Sequence, residues 1–325
     1  MLALAGVTLS IVGWRSMRRR GAVHALGAGA PDQATSGETR RVSEWTDRFA
    51  SLLAARDWGA LDADLEAIRE SESDLYAWYR LGYFHGRVKL ALGQHAEARR
   101  MLEPFLAAGH PLRDLALHHA AAAESGAGNH EEAARLRETL VLEHPQGNYR
   151  LRGLEDLVEW LTAQKDAARM RGLMARLPAS DAAAARDIEG RIVELTLDQD
   201  RAAAVAAGMR LLRANQGDDA AERVARALDQ PPILDTLPPA DWVLLGESAR
   251  SHRHYDRAVV LLERSLQAGA GQRTDLLYSI GRAHFGAEQY EAAERRYLEG
   301  AALPSSAEER GNFFYNAARS APEEK

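Results

Sequence analysis

The sequence contains no cysteine, which excludes disulfides, zinc knuckles and thiol catalysis and leaves reducing and oxidising compartments equally open. Aromatic residues amount to only 6%. Alanine takes their place, as in "LALHHAAAAESGAGNHEEAARL", and alanine-rich faces let helix axes approach closely, so the core is thin and spread out. Excess positive charge is also missing. Lys and Arg number 41 against 47 Asp and Glu, a net charge of −6, which gives no electrostatic reason to expect nucleic acid. Arginine dominates over lysine, but acidic residues are interleaved with it, the pattern of a solvated surface. Signatures of bound cofactors are absent too: there is no Walker loop, no G-x-G-x-x-G after a strand and no nucleophile elbow.

Long apolar runs are lacking as well. The longest uncharged stretch near the amino terminus, "LALAGVTLSIVGW" from Leu2 to Trp14, has thirteen residues and is followed by Arg15, Arg18, Arg19 and Arg20. A membrane span needs about 20 apolar residues, and a secretory signal carries its positive charges ahead of the apolar run. Three readings stay open for residues 2–20: a truncated or mis-started signal or anchor that touches a membrane, a partner-binding or disordered tail, and a short structural helix. The Gly-, Ala- and Ser-rich residues that follow read as a linker, so residues 1–38 form a first segment.

From about Arg40 apolar residues recur at helical spacing and strand signals are absent. "VSEWTDRFASLLAARD" places Val42, Trp45, Phe49, Leu52 and Leu53 on one face. "SDLYAWYRLGYFHGRVKLALGQ" reads as one long helix capped by Ser73 or Asp74. A fixed period organises the rest. Trp242, Leu245, Gly246, Tyr255, Ala258 and Leu262 align with Leu277, Ile280, Gly281, Tyr290, Ala293 and Tyr297, each pair 35 residues apart. Gly86, Gly93 and Ala98 align with Ala121, Gly128 and Ala133 at the same spacing. Such a period, with small residues at fixed places, resembles helix–turn–helix repeats of the tetratricopeptide kind. The fold class expected is all-α, a tetratricopeptide-like helical-hairpin superhelix (α-solenoid).

The repeats imply a packing role for Gly86, Ala98, Ala133, Leu245, Gly246, Ala258, Gly281, Ala293 and Tyr297. A first array is expected over residues 39–230, with irregular hairpins and no clear Gly and Ala markers after 151. "DQPPILDTLPPADW" is expected to interrupt the stack, because proline removes a backbone donor and clashes with the preceding turn. A second array then occupies residues 231–325. It is expected to be cut short, since Phe313, Phe314 and Ala317 are ready to pack on a further helix that the sequence does not supply.

Chemistry is sparse. His118 with His119, and His252 with His254, lack the i, i+4 spacing and the acidic partner of a metal site. Tyr76, Trp78, Tyr79, Tyr83 and Phe84 are more aromatic residues than one buried helix face needs, and such faces suit sugar rings and peptide side chains. They are the candidate ligand surface. No catalytic, metal or cofactor residue is assigned.

The stretches "YRLGYFHGRVKLALGQHAEARRMLEPFLAAGHP", "LRDLALHHAAAAESGAGNHEEAARLRETLVLEHPQGNYR" and "RRYLEGAALPSSAEERGNFFYNAARS" are together similar to the superhelical, non-catalytic region of soluble lytic murein transglycosylases. The resemblance runs from about Ser73 to Ser320. It implies an exported protein, periplasmic or associated with the cell envelope, that binds or guides peptidoglycan for a lysozyme-like catalytic domain. That domain carries an E-S dipeptide followed some twenty residues later by G-L-M-Q. The E-S pairs here, at Glu70, Glu72, Glu124 and Glu247, have no such sequel, and "GLMARLP" from Gly172 has Ala175 in place of the Gln. The alternative expectation is a tetratricopeptide adaptor, cytoplasmic or exported, with a protein or peptide partner on its concave face.

Overall fold

The computed structural model describes residues 36–304 and 306–321. The expectations for residues 2–20 and for most of the 1–38 segment lie outside them. Eighteen α-helices and no strand occur among the described residues, so the protein is all-α, built of tetratricopeptide-like helical hairpins. No described helix is long and apolar enough to cross a membrane. The chain divides into two compact units, Met1–Leu157 and Val158–Lys325.

The first unit opens with α1 (Ser36–Ala55) and α2 (Trp58–Ser71). Val42, Phe49 and Leu53 point inward as their spacing requires, with Trp45 and Leu52 half-buried beside them. The single long helix expected after Ser73 is two helices, α3 (Ser73–Trp78) and α4 (Leu81–Ala91). Ser73 is already helical and neither it nor Asp74 caps; Glu72 precedes the helix without a side-chain cap. The break falls at Arg80, whose φ of 54° is left-handed. It turns the chain so that the Tyr76 hydroxyl reaches His85 Nδ1 at 2.9 Å, a contact across nine residues that an unbroken helix would not allow.

Then come α5 (His95–Leu102), a 3₁₀ turn at Glu103–Leu106, α6 (Arg113–Gly126), α7 (His130–Glu143) and α8 (Arg150–Ala163). The second unit continues through α9 (Ala167–Met174), α10 (Ala182–Thr196), α11 (Arg201–Ala214), α12 (Asp219–Leu228), α13 (Pro231–Leu234), α14 (Pro239–Ser251), α15 (Tyr255–Gln267), α16 (Arg273–Gly286), α17 (Tyr290–Ala301) and α18 (Ala307–Ser320). Turns of two to four residues inside hairpins make paired helices antiparallel neighbours. Asp57, Asp166, Asp200, Asp218 and Ser306 each accept a hydrogen bond from the backbone N–H three residues on; each such cap is worth about 1 kcal/mol.

One spacing closes the hairpins. A methyl group on Gly86 would lie 3.0 Å from Leu102 Cγ, on Gly246 2.8 Å from Leu262 Cγ, and on Gly281 2.6 Å from Tyr297 Cε1. In every case the large residue follows the glycine by sixteen positions, and the alanine twelve positions on (Ala98, Ala258, Ala293) is fully buried. The glycine admits the partner side chain against bare backbone, and the alanine keeps the axes close. Ala133 and Leu245 are buried in the same way.

The segment after 151 does carry these markers. A methyl group on Gly208 would lie 2.8 Å from Val224 Cγ1, sixteen positions on, and Ala220 is buried twelve positions on. The interval from Gly208 to Gly246 exceeds the common period by three positions, because the proline segment is interposed. That segment ends α12 and forms only the short α13, yet Ile233, Leu234 and Leu237 join Val224, Leu228, Trp242 and Leu245 in one core cluster. Proline breaks the helices there without breaking the core.

A second kind of contact joins successive hairpins. Gly126 of α6 faces the His95 ring of α5, and Gly286 of α16 faces the Tyr255 ring of α15. The two glycines follow their rings by the same interval, nearly twice the one that operates within a hairpin. In four hairpins the turn carries one left-handed residue seven positions after the small one. Gly93 and Gly128 supply it freely, whereas Arg253 and Glu288 adopt φ of 64° and 60°, at a cost of about 1–2 kcal/mol.

Candidate functional site

The aromatic residues between Tyr76 and Phe84 do not form one platform. Tyr83 is buried edge-on to Phe105 at 5.9 Å between ring centroids. Phe84 leans on Phe49 at 5.9 Å in the α1–α2 core. Tyr76 is half-buried and Tyr79 sits half-buried at the break, which leaves Trp78, 47% exposed, as the one large aromatic of the five at the surface. The left-handed turn at Arg80 distributes them between two cores.

Tyr76 instead begins a polar chain. Its hydroxyl donates to His85 Nδ1; His85 Nε2 lies 2.8 Å from Asp62 Oδ1, and Lys89 donates to Asp62 Oδ2 at 2.8 Å. An ionised carboxylate only accepts, so His85 carries its proton on Nε2. Burial pushes Asp62 up, but the hydrogen bonds and charges of Lys89 and His85 outweigh it and hold the carboxyl below its usual range. Burial lowers His85 and raises the Tyr76 phenol. Lys89 also reaches Glu97 at 3.1 Å. From Tyr76 to Glu97 each group spends its hydrogen bonds on the next one, so the chain braces α2, α3, α4 and α5 and offers no reactive end to a substrate.

The second unit contains a different arrangement, an open pocket of about 360 Å³. Arg250 comes from the last turn of α14, Arg253 from the left-handed turn, Arg282 from α16 and Arg319 from α18, with Phe285 and Tyr255 between them. No acidic side chain lines it. Arg250 is engaged by Glu247 at 2.7 and 2.9 Å. No carboxylate pairs with Arg253, Arg282 or Arg319 among the described residues, whereas Arg264 bonds Asp235 at 2.9 Å, Arg273 bonds Glu299 at 2.6 Å and Arg296 bonds Glu263 at 2.5 Å.

Arg319 is held by rings rather than by charge. Its guanidinium lies 5.0 Å from the Phe285 centroid and 5.7 Å from that of Tyr315, within reach of cation–π attraction. Such stacking fixes the plane of the guanidinium and leaves its N–H groups available for bidentate contact with a carboxylate or phosphate. Gly286 deepens the floor, since any side chain there would meet the Tyr255 ring. The pocket thus offers three uncompensated positive charges over an aromatic base.

Reading charge as a property of the whole chain conceals this pocket. A local signal exists: Arg282 has Tyr278, Ser279, Phe285 and Gly286 at its i±3 and i±4 positions, and Arg319 has Tyr315 and Asn316 on its amino-terminal side. Neither has an acidic helix neighbour there to neutralise it. The paired histidines take other roles: His254 Nε2 meets Glu222 at 2.9 Å and His252 Nδ1 meets the Ser248 carbonyl at 2.8 Å. No group of three or more metal-ligating side chains occurs among the described residues.

Among solved structures, twelve chains resemble this one. A tetratricopeptide repeat protein from Parabacteroides merdae, known from a crystal structure, superposes with a TM-score of 0.36 at 16% identity, over 85% of this chain and 98% of its own. Values that low carry no argument about function, and the fold stands on the chain's own hairpins. No protein-family model and no curated protein matches the chain.

Proposed function

We propose that the protein is a non-catalytic tetratricopeptide-like scaffold that holds an acidic segment of a partner protein in the arginine pocket of its second unit. The observation that carries this reading is the trio Arg253, Arg282 and Arg319, gathered in one pocket without a carboxylate. Unneutralised like charges repel and lower stability, and an anionic ligand relieves that repulsion. Stacked helical hairpins present extended concave surfaces to partners, and arginine clusters suit acidic motifs.

The test is fluorescence anisotropy with a labelled peptide bearing consecutive Asp and Glu residues, against the same peptide with Asn and Gln. The acidic peptide is expected to bind more tightly at low salt, to weaken as salt rises, and to lose at least tenfold in affinity to the Arg282→Glu/Arg319→Glu variant. Equal binding of both peptides would remove the basis of the reading.

The peptidoglycan reading rests on the sequence likeness from Ser73 to Ser320 and would place the chain at the cell envelope. Its expected aromatic surface is divided among cores, with Trp78 left at the surface. It predicts retention on purified cell-wall sacculi that the Arg282→Glu/Arg319→Glu variant leaves intact.

A further inference from the structure

A chain of six rings runs through the first unit. His110 meets Phe105 at 5.1 Å between centroids, Phe105 meets Tyr83 at 5.9 Å, and Tyr83 meets His119 at 5.9 Å. His119 lies 5.0 Å from His118 and 5.5 Å from Tyr149. His118 and Tyr149 stack face to face at 4.0 Å, with 3° between their planes. The rings belong to α4, the 3₁₀ turn, the loop before α6, α6 itself and the turn that leads into α8. Five segments therefore meet on one set of side chains. The three histidines of the second unit make no ring–ring contact among the described residues.

The charged groups around the cluster disfavour imidazolium. Burial pushes His118 down to about 4; Asp156 opposes the shift, and Arg137, Arg152 and Arg87 add to it. Asp156 is already shared, 3.0 Å from Arg152 and 3.7 Å from Arg137. His119 is held well below the ordinary range by burial, then by Arg87 and His118, and its Nε2 is sealed from solvent with no protein partner. His110 is lowered by burial and by Arg80. Asp114 faces Tyr83. Four guanidiniums thus bear on the cluster against two carboxylates. Asp156, the carboxylate that acts on His118, is already shared, and none acts on His119, so an imidazolium formed on either ring has contact with water as its remaining route to relief.

We propose that this cluster is an acid-sensitive clasp: protonation of His118 and His119 parts α6 from the Tyr149 turn and opens the first unit, while the second unit stays folded. This inference is independent of the partner-binding reading. The sign follows from linkage. A histidine whose folded pKa lies below its unfolded value of about 6.5 leaves stability intact above that pH, and stability is lost as pH falls towards the folded value. For His118 the window runs from about 6.5 to about 4.

The experiment uses the full chain with ¹³C-labelled histidine, titrated from pH 8 to 4 by NMR of the ring Cε1–Hε1 groups, with near-ultraviolet circular dichroism alongside. The His118 and His119 signals are expected to stay neutral through pH 6.5 and to titrate together with loss of the near-ultraviolet signal at lower pH. Amides of residues 158–321 are expected to keep their hydrogen-exchange protection. The His118→Phe/His119→Phe variant keeps two rings in place without titrating, and should hold its near-ultraviolet signal at least one pH unit lower. Titration of both histidines near 6.5 in the folded protein, an unchanged midpoint in the variant, or simultaneous opening of the second unit would overturn the proposal. If the variant does not fold, the wild-type titration decides alone.

Discussion

Replacing Gly281 by alanine tests whether the sixteen-residue spacing governs packing. The new methyl would lie 2.6 Å from Tyr297 Cε1 and 2.8 Å from Cδ1 and Cζ, closer than carbon atoms approach without displacement. Tyr297 is 1% exposed and is packed by Tyr278 at 5.9 Å, so the ring has little room to retreat. Overpacking of this kind costs about 1–3 kcal/mol. Against it stands the helical preference of alanine over glycine, about 1 kcal/mol. The net expectation is destabilisation by up to about 2 kcal/mol. The control is Gly311→Ala in α18, where nothing lies within 4 Å of the added methyl; there the helical preference acts alone and the variant should gain about 0.5–1 kcal/mol. Thermal unfolding reads both, since 1 kcal/mol shifts a unit of this size by about 2–4 °C. Opposite signs are required. A Gly281→Ala protein as stable as the Gly311→Ala protein would refute the packing argument.

Two further outcomes follow from features of each unit. Glu288→Gly relieves a left-handed φ of 60° and should raise stability by up to about 1 kcal/mol, the strain removed less the entropy that glycine adds to the unfolded chain; urea unfolding with a lower midpoint would contradict it. Asp62→Ala strips the acceptor shared by His85 and Lys89 and should cost about 1–3 kcal/mol, the penalty of leaving the buried His85 donor unsatisfied, since Lys89 keeps Glu97. The His85 ring proton should then lose its hydrogen-bonded chemical shift, and an unmoved signal would show that Asp62 does not hold it.

Much of the fold was legible because repeats write the same packing solution several times. The constant offset between Gly246 and Gly281 and their partners locates two hairpins without any appeal to propensity. The hairpin at Gly208 obeys the same internal spacing but was hidden by its phase, since the proline segment pushes it three positions out of step with Gly246. The break at Arg80 left no trace in periodicity: the residues from Ser73 to Gln94 keep a helical pattern, and a non-glycine residue carries the left-handed turn. The pocket was the least legible part. Arg250, Arg253, Arg282 and Arg319 lie on separate segments, and only folding brings them together, so a chain-wide balance of charge averages them away. The aromatic residues misled for the opposite reason. They are adjacent in sequence, and the turn at Arg80 separates them in space.

The two kinds of glycine contact divide labour in a way that bears on how such chains change over generations. The shorter contact, such as Tyr297 on Gly281, is complete within one hairpin, so a duplicated hairpin arrives with its own lock and key. The longer contact, such as Tyr255 on Gly286, is split between neighbours, so an inserted copy keeps its place only where the adjoining helix ends in a matching gap. Duplication next to the parent satisfies both at once; transplantation elsewhere satisfies only the first. The glycines near the ends of α6 and α16 therefore act as an address that fixes the order of the hairpins.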